Sequence, residues 1–179
     1  MGQYKQKGKC KVLIVSGCLA ERYREQLLDE IPEVDAVIGT GDYKDILEII
    51  EEAYKGEKVI RYGNQEKVNI DELPRIVSTI GTYAYLKIAE GCDNRCTYCI
   101  IPALRGRYRS RKFESIIEEA KVLANKGIKE IIIIAQDTSR YGIDIYNKYM
   151  LPELLKTLAN IEGIEWIRVL YAYPDVFTD

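Results

Sequence analysis

The sequence predicts an α/β protein: the end of one α/β domain, then the first β/α units of an incomplete, TIM-like barrel. Three observations carry this. Short apolar runs alternate with amphipathic stretches of helical period on both sides of a polar segment at 64–81. The second alternation, 82–179, holds three strands and two helices, whereas a closed eight-stranded barrel takes roughly 250 residues. The cysteines that matter most follow the first strand of that second alternation, at its C-terminal end.

The elements follow in order. "KVLIVSG" (11–17) has the composition of a short buried strand. A charged amphipathic helix is expected from Ala20 to Ile31, stopped by Pro32. "DAVIGT" (35–40) is a second strand. "GTGD" then turns into a helix over 43–54, with Ile46, Ile49, Ile50 and Ala53 on one face and Gly56 as its stop. "KVIRYG" (58–63) is the third strand of this first domain, 1–63. Residues 64–81 are a linker rich in Asn, Gln, Asp and Glu with Pro74 and Gly81. The second domain, 82–179, opens with a strand at 82–90, followed by the cysteine loop. A helix is expected over 113–126, with Ile116, Ile117, Ala120, Leu123 and Ala124 inward and Gly127 as its cap. "KEIIIIAQ" (129–136) is a fully buried strand by composition, 151–160 is a helix with Pro152 in its first turn, and 165–174 is a last strand. Three parallel strands do not close a barrel, so "LYAY" is expected at an open edge and the chain reads as lacking both ends of a longer one.

Composition excludes several function classes. Lys and Arg total 26 against 28 Asp and Glu, a formal charge of −2, which gives no nucleic-acid or membrane-surface signature. The apolar runs are too short to span a bilayer, and the polar N-terminus has no secretory core. The chain is expected in the cytoplasm, where thiols stay reduced. There is no histidine, which removes Ser–His–Asp and Cys–His catalysis and every His-bearing zinc pattern.

"EGCDNRCTYCIIP" (90–102) places Cys92, Cys96 and Cys99 within eight positions, three of the five cysteines. The spacing also describes one stripe of a helix, but Gly91, Asp93 and Asn94 are turn formers and favour a loop. A disulfide would leave one thiol over. Zinc needs four ligands, so it would require Asp93 or a distant cysteine. An iron–sulfur cube on three thiolates leaves one iron open for another ligand, at the end of a barrel strand where such folds bind substrate.

C-x3-C-x2-C, with Tyr98 before the last cysteine, resembles the signature of the radical S-adenosylmethionine (SAM) superfamily. The resemblance implies a [4Fe-4S] cluster on Cys92, Cys96 and Cys99 whose open iron binds SAM. "AEGCDNRCTYCIIPALRGRYRSR" looks like the methylthiotransferase branch, through Ile101 and Pro102, Arg105 and Gly106, and Ser110 and Arg111. "AQDTSRYG" (135–142) and "YAYP" (171–174) are similar to the subgroup that methylthiolates the β-carbon of an aspartate in the twelfth small-subunit ribosomal protein. The tRNA-modifying subgroup is the alternative within the family, and its Ser-His-Pro-like element is absent here. From another class, the chain could be a non-catalytic zinc- or iron-binding fragment.

"IVSGCLAERY" (14–23) resembles the last cysteine motif of the family's N-terminal domain, which makes Cys18 one ligand of a second [4Fe-4S] cluster that is incomplete here. Cys10 matches no family motif and reads as a structural thiol. The resemblance also implies a ribosomal-protein substrate and a low-potential electron donor as partners. Gln136 and Asp137 end a barrel strand and read either as contacts of SAM or substrate or as caps of the loop; with Tyr98 they are the candidate cofactor-binding residues. The superfamily's Gly-Gly-Glu element has no counterpart in this chain. No catalytic residue is assigned. "RGRYRSRK" (105–112) reads as a solvated basic loop, or as arginines meeting a carboxylate of SAM or of the target aspartate. "GTGDYKD" (39–45) reads as a turn and helix cap.

Overall fold

The computed structural model describes residues 1–63, 75–77 and 81–176, so most of the 64–81 linker lies outside the described residues. The chain divides into two compact units: Met1–Val68 with Ala103–Gly106, and Asn69–Pro102 with Arg107–Asp179.

The first unit begins with α1 (Gln3–Lys7), β1 (Ile14–Ser16), α2 (Cys18–Tyr23) and α3 (Gln26–Glu30). β2 (Ala36–Ile38), a 3-10 turn at Tyr43–Asp45, α4 (Ile46–Tyr54) and β3 (Val59–Arg61) follow. The strands form a parallel sheet in the order β1-β2-β3, with Ile14 opposite Ala36 and Ala36 opposite Val59. Alternation along β2 puts helices on both faces. Ala36 and Ile38 pack with Ile49 and Ala53 of α4, while Val37 packs with Ala20 and Leu27 of α2 and α3.

Three expectations for this unit are corrected. The single helix from Ala20 to Ile31 is two helices, because Arg24 takes φ +46, a left-handed conformation that ends a helical ladder. Ile50 is 38% exposed while Ile49 and Ala53 are buried, so the apolar stripe of α4 is narrower than its composition suggests. In "GTGDYKD", Asp42 bonds the N–H of Gly63 rather than capping α4.

The second unit runs β4 (Tyr83–Lys87), β5 (Ala89–Glu90), α5 (Ile101–Arg105), β6 (Arg109–Ser110) and α6 (Phe113–Asn125). It continues with β7 (Glu130–Ile134), α7 (Ile143–Tyr146), α8 (Leu151–Ala159) and β8 (Trp166–Val169). The tail of α5 belongs to the first unit. β4, β7 and β8 are parallel neighbours in sequence order, with Tyr83 opposite Glu130 and Glu130 opposite Trp166.

Alternation sorts this sheet into two faces. Ala84, Leu86, Ile131, Ile133, Ile167 and Val169 join one core with Ile116, Ala120 and Leu123 of α6 and Leu151, Leu154 and Leu158 of α8. Both long helices therefore cover the same face, the arrangement of barrel β/α units rather than of a doubly wound sheet. The other face carries Tyr83, Tyr85, Lys87, Ile132, Ile134 and Trp166, with Arg168 Nε donating to Glu130 Oε1 at 2.8 Å. Trp166 on that face is 63% exposed.

α6 ends as expected: Gly127 takes φ +86 and donates its N–H to Ala124 O at 2.9 Å. The strand expected at 82–90 is two strands, because the chain leaves β7 after Ile88 and pairs with β6 instead. The strand expected to 174 ends at Val169, and Tyr171 at φ +61 cannot continue it. No helix among the described residues is long and apolar enough to cross a membrane.

Leu86 is fully buried between the β4–β7 ladder and its covering helices. Leu86→Ala is expected to destabilise the second unit by about 2–5 kcal/mol, read as a lower urea midpoint at unchanged slope.

Candidate functional site

The cysteine loop starts where β5 ends and returns at β6. Ala89 pairs with Ser110 and Glu90 with Arg109, so a two-residue antiparallel ladder closes residues 91–108 into one loop. Gly91 at φ +75 makes the turn out of β5. The loop thus leaves the C-terminal end of β4, and the end of β7 lies beside it through the parallel register.

All three loop thiols are free, and the Cys99 N–H donates to Cys96 O at 3.0 Å in a tight turn. Cys92 is buried, and Cys96 and Cys99 are partly exposed. Burial pushes the Cys92 thiol above its ordinary pKa, and Asp137, Cys99 and Cys96 push the same way against the backbone hydrogen bond from Asn94. Such a thiol gives up its proton when a cation arrives to take the sulfur. Among the described residues, no three Cys, Asp or Glu side chains converge as ligands of one metal ion. A cube distributes its thiolates over separate irons, so three thiols spread along one loop fit it.

The loop is held from its two ends. Asn94 Nδ2 donates to Asp137 Oδ2 at 2.9 Å, and Tyr108 Oη donates to the main-chain oxygen of Asp137 at 2.8 Å. Within the loop, the Tyr108 N–H donates to Asp93 Oδ1 at 3.2 Å. Asp137 is 2% exposed. Its Oδ1 accepts from the Ser139 N–H at 3.1 Å and from the Ser139 hydroxyl, and its Oδ2 forms an ion pair with Arg140 Nε at 3.4 Å.

Gln136 lies beside Glu90 at the same strand ends. Gln136 Nε2 donates to Glu90 Oε1 at 3.1 Å, Lys87 forms an ion pair with Glu90 Oε2, and Gln136 Oε1 is buried without a hydrogen-bond partner. Tyr98, by contrast, is 90% exposed. Glu90, Asn94 and Tyr108 are the residues that sequence reasoning missed. In the sequence Asn94 reads only as a turn former, and Glu90 and Tyr108 are legible only as neighbours of the cysteines.

The basic run is not one solvated loop. Arg111 is buried and donates to Lys87 O at 2.8 Å, Glu119 Oε2 at 2.6 Å and Ser115 Oγ at 3.0 Å. Tyr141 Oη donates to Arg111 O at 3.1 Å, and the Gly142 N–H donates to Ser110 Oγ at 2.9 Å. "SR" and "RYG" are therefore two halves of one support beneath the cysteine loop.

Cys18 begins α2 in the first unit and is partly exposed. Arg105, whose segment Ala103–Gly106 belongs to the same unit, donates from Nε to Cys18 Sγ at 3.0 Å. Cys10 Sγ donates to Val12 O at 3.3 Å.

Residues 86–178 match the family model described as the Radical SAM superfamily. A ribosomal protein uS12 methylthiotransferase RimO from Thermoanaerobacter sp. (strain X514) is 57% identical over 179 residues, 100% of this chain and 41% of that protein. The protein of the same name from Caldanaerobacter subterraneus subsp. tengcongensis is 61% identical over 162 residues, 90% of this chain and 37% of that protein. The chain thus spans about two-fifths of the length of these relatives. Among solved structures, the radical SAM methyltransferase TsrM from Kitasatospora setae, with cobalamin and a [4Fe-4S] cluster bound, matches with a TM-score of 0.55. That match has 16% identity and covers 81% of this chain and 33% of that one, a likeness of fold alone.

Burial, with Asp137 and Asp144 nearby, pushes the Tyr108 phenol far above its ordinary value of 10.0. The folded chain therefore keeps this proton where the unfolded chain loses it, and stability falls as pH rises above about 10. Tyr108→Phe is expected to lose about 1 kcal/mol at neutral pH and to show a shallower alkaline decline, measured by denaturant unfolding across pH.

Proposed function

The chain belongs to the radical SAM superfamily, and on that premise we propose that it is the middle part of a methylthiotransferase acting on an aspartate of ribosomal protein uS12. The observation that carries this reading is the count and placement of thiols: three, in one closed loop, at the C-terminal end of a parallel strand. Identity of 57% to a uS12 methylthiotransferase along the whole chain supports the substrate. Residues 1–63 would then be part of the N-terminal methylthiotransferase domain, 64–81 a linker, and 82–179 part of the radical SAM domain. The enzyme would work in the cytoplasm with a low-potential electron donor.

Cys92, Cys96 and Cys99 would hold the [4Fe-4S] cluster, and Cys18 would supply one ligand to a second. When bound, the first cluster supplies the one-electron chemistry that cleaves SAM and activates a C–H bond. The chain's own residues prepare the place for it. Gln136 Oε1, a buried acceptor lacking a donor, suits an ammonium or hydroxyl of the cofactor. Glu90, balanced by Lys87, holds the Gln136 amide in that orientation. Tyr98, exposed on the loop, would pack on the bound cofactor.

Anaerobic reconstitution is expected to yield about one [4Fe-4S] cluster per chain. Iron, sulfide and visible absorption should be lost in Cys92→Ala, Cys96→Ala or Cys99→Ala and retained in Cys18→Ala. Tight zinc binding without iron–sulfur absorption would defeat the proposal and favour the zinc-fragment reading.

The substrate is tested by expressing the complete enzyme that carries this chain in a host lacking its own uS12 methylthiotransferase. Mass spectrometry is expected to find a methylthio group on the uS12 aspartate. A modified tRNA adenosine with unmodified uS12 would instead support the tRNA alternative.

A further inference from the structure

We propose that Asp137 is a positioning residue: it clamps the cysteine loop through Asn94 and Tyr108 and does not itself touch the cofactor. The inference rests on the cluster reading above for its consequence, but the clamp is a property of the loop without any cofactor.

An ionised carboxylate offers about four acceptor directions. For Asp137 three hydrogen bonds and an ion pair are already in place. Ser139 gives its N–H and its hydroxyl to Oδ1, Asn94 gives Nδ2 to Oδ2, and Arg140 sets its guanidinium beside Oδ2. A side chain that is 2% exposed and held in this way is engaged by the chain itself on both oxygens. Its partners point instead to the loop. Asn94 lies between Cys92 and Cys96, and Tyr108, which binds the Asp137 main-chain oxygen, lies just before β6. One residue at the end of β7 thus holds the loop near its first cysteine and at its return.

Holding the loop lowers the entropic cost of filling it. A loop of this length has many conformations, and three thiolates must meet the corners of one rigid cube. Fixing Asn94 places the stretch carrying Cys92 and Cys96 on a strand end that the sheet already holds. A buried carboxylate bonded on both oxygens makes a stiff fixed point, since moving it would leave a charge without partners.

The test compares the chain with Asn94→Ala, Asp137→Asn, and the double variant Asn94→Asp with Asp137→Asn. In the single Asp137→Asn chain, the Asn94 amide must turn to accept from the new amide, and the bond between them loses its charge. In the double variant Asn at 137 donates to Asp at 94, while its oxygen still accepts from Ser139. Hydrogen exchange of the amides at 91–100 is read on the chain before reconstitution, and iron content and the EPR spectrum of the reduced cluster after it. Loop exchange is expected to quicken roughly fivefold in each single variant and to recover in the double variant. Iron content should follow the same order.

Two results overturn the clamp. One is unchanged loop exchange in both Asn94→Ala and Asp137→Asn. The other is weakened SAM-induced change in the EPR spectrum of Asp137→Asn with loop exchange unaltered, which would make Asp137 a cofactor contact. If Asp137→Asn fails to unfold cooperatively, Asn94→Ala decides by the same exchange measurement. If no chain takes up iron, the cluster reading fails, while the exchange measurement still decides the clamp.

Discussion

Everything near the cysteines depends on the parallel pairing of β4 with β7. Five residues of each strand are in register, from Tyr83 opposite Glu130 to Lys87 opposite Ile134. Because the strands are parallel, both C-terminal ends emerge at the same level. One end continues into Glu90 and the cysteine loop, and the other into Gln136 and Asp137. The apolar core beneath this ladder, Leu86 with Ile131 and Ile133 against α6 and α8, keeps the register from slipping. A one-residue shift would turn the isoleucines away from the helices and separate Asp137 from Asn94.

On this frame the polar groups divide into support and chemistry. Tyr141 bonds the Arg111 main chain and Gly142 bonds Ser110, while Arg111 reaches Lys87 O and the Glu119 and Ser115 side chains, so these residues hold β6 and the turn after β7 together. Asp137 is bonded to Asn94 and Ser139. Among the described residues, the groups with unused capacity here include the three thiols, the amide oxygen of Gln136 and Arg140 Nε. Buried polar atoms are nearly always bonded, so a vacant acceptor beside a thiol loop is where a ligand's donor would fit. Glu90 differs again, since the cost of burying it is offset by Lys87 as a counter-charge and by the Gln136 amide.

The family motifs gain a physical meaning from this division. "SR" at 110–111 and "RYG" at 140–142 lie about thirty residues apart, yet they meet through Tyr141 Oη and Ser110 Oγ at 3.1 and 2.9 Å. Their place in the pattern reflects the loop's foundation rather than a reactive group. Arg105, one of the same basic run, is directed at the Cys18 thiol of the first unit.

What the sequence alone determined is local. The strand and helix periods, the helix stop at Gly127, and the spacing of Cys92, Cys96 and Cys99 depend on neighbours within a few residues, so they could be read directly. The same holds for the barrel-like order of β4, β7 and β8, which follows from strand–helix alternation. Only the tertiary structure decided that Arg24 breaks a helix, that the first strand of the second unit changes partner after Ile88, and that Ile50 faces outward. It also decided that Asp137 meets Asn94, 43 residues away, and Tyr108, 29 residues away. Such meetings depend on sheet register and loop closure, which join distant segments and leave no periodic mark on the chain.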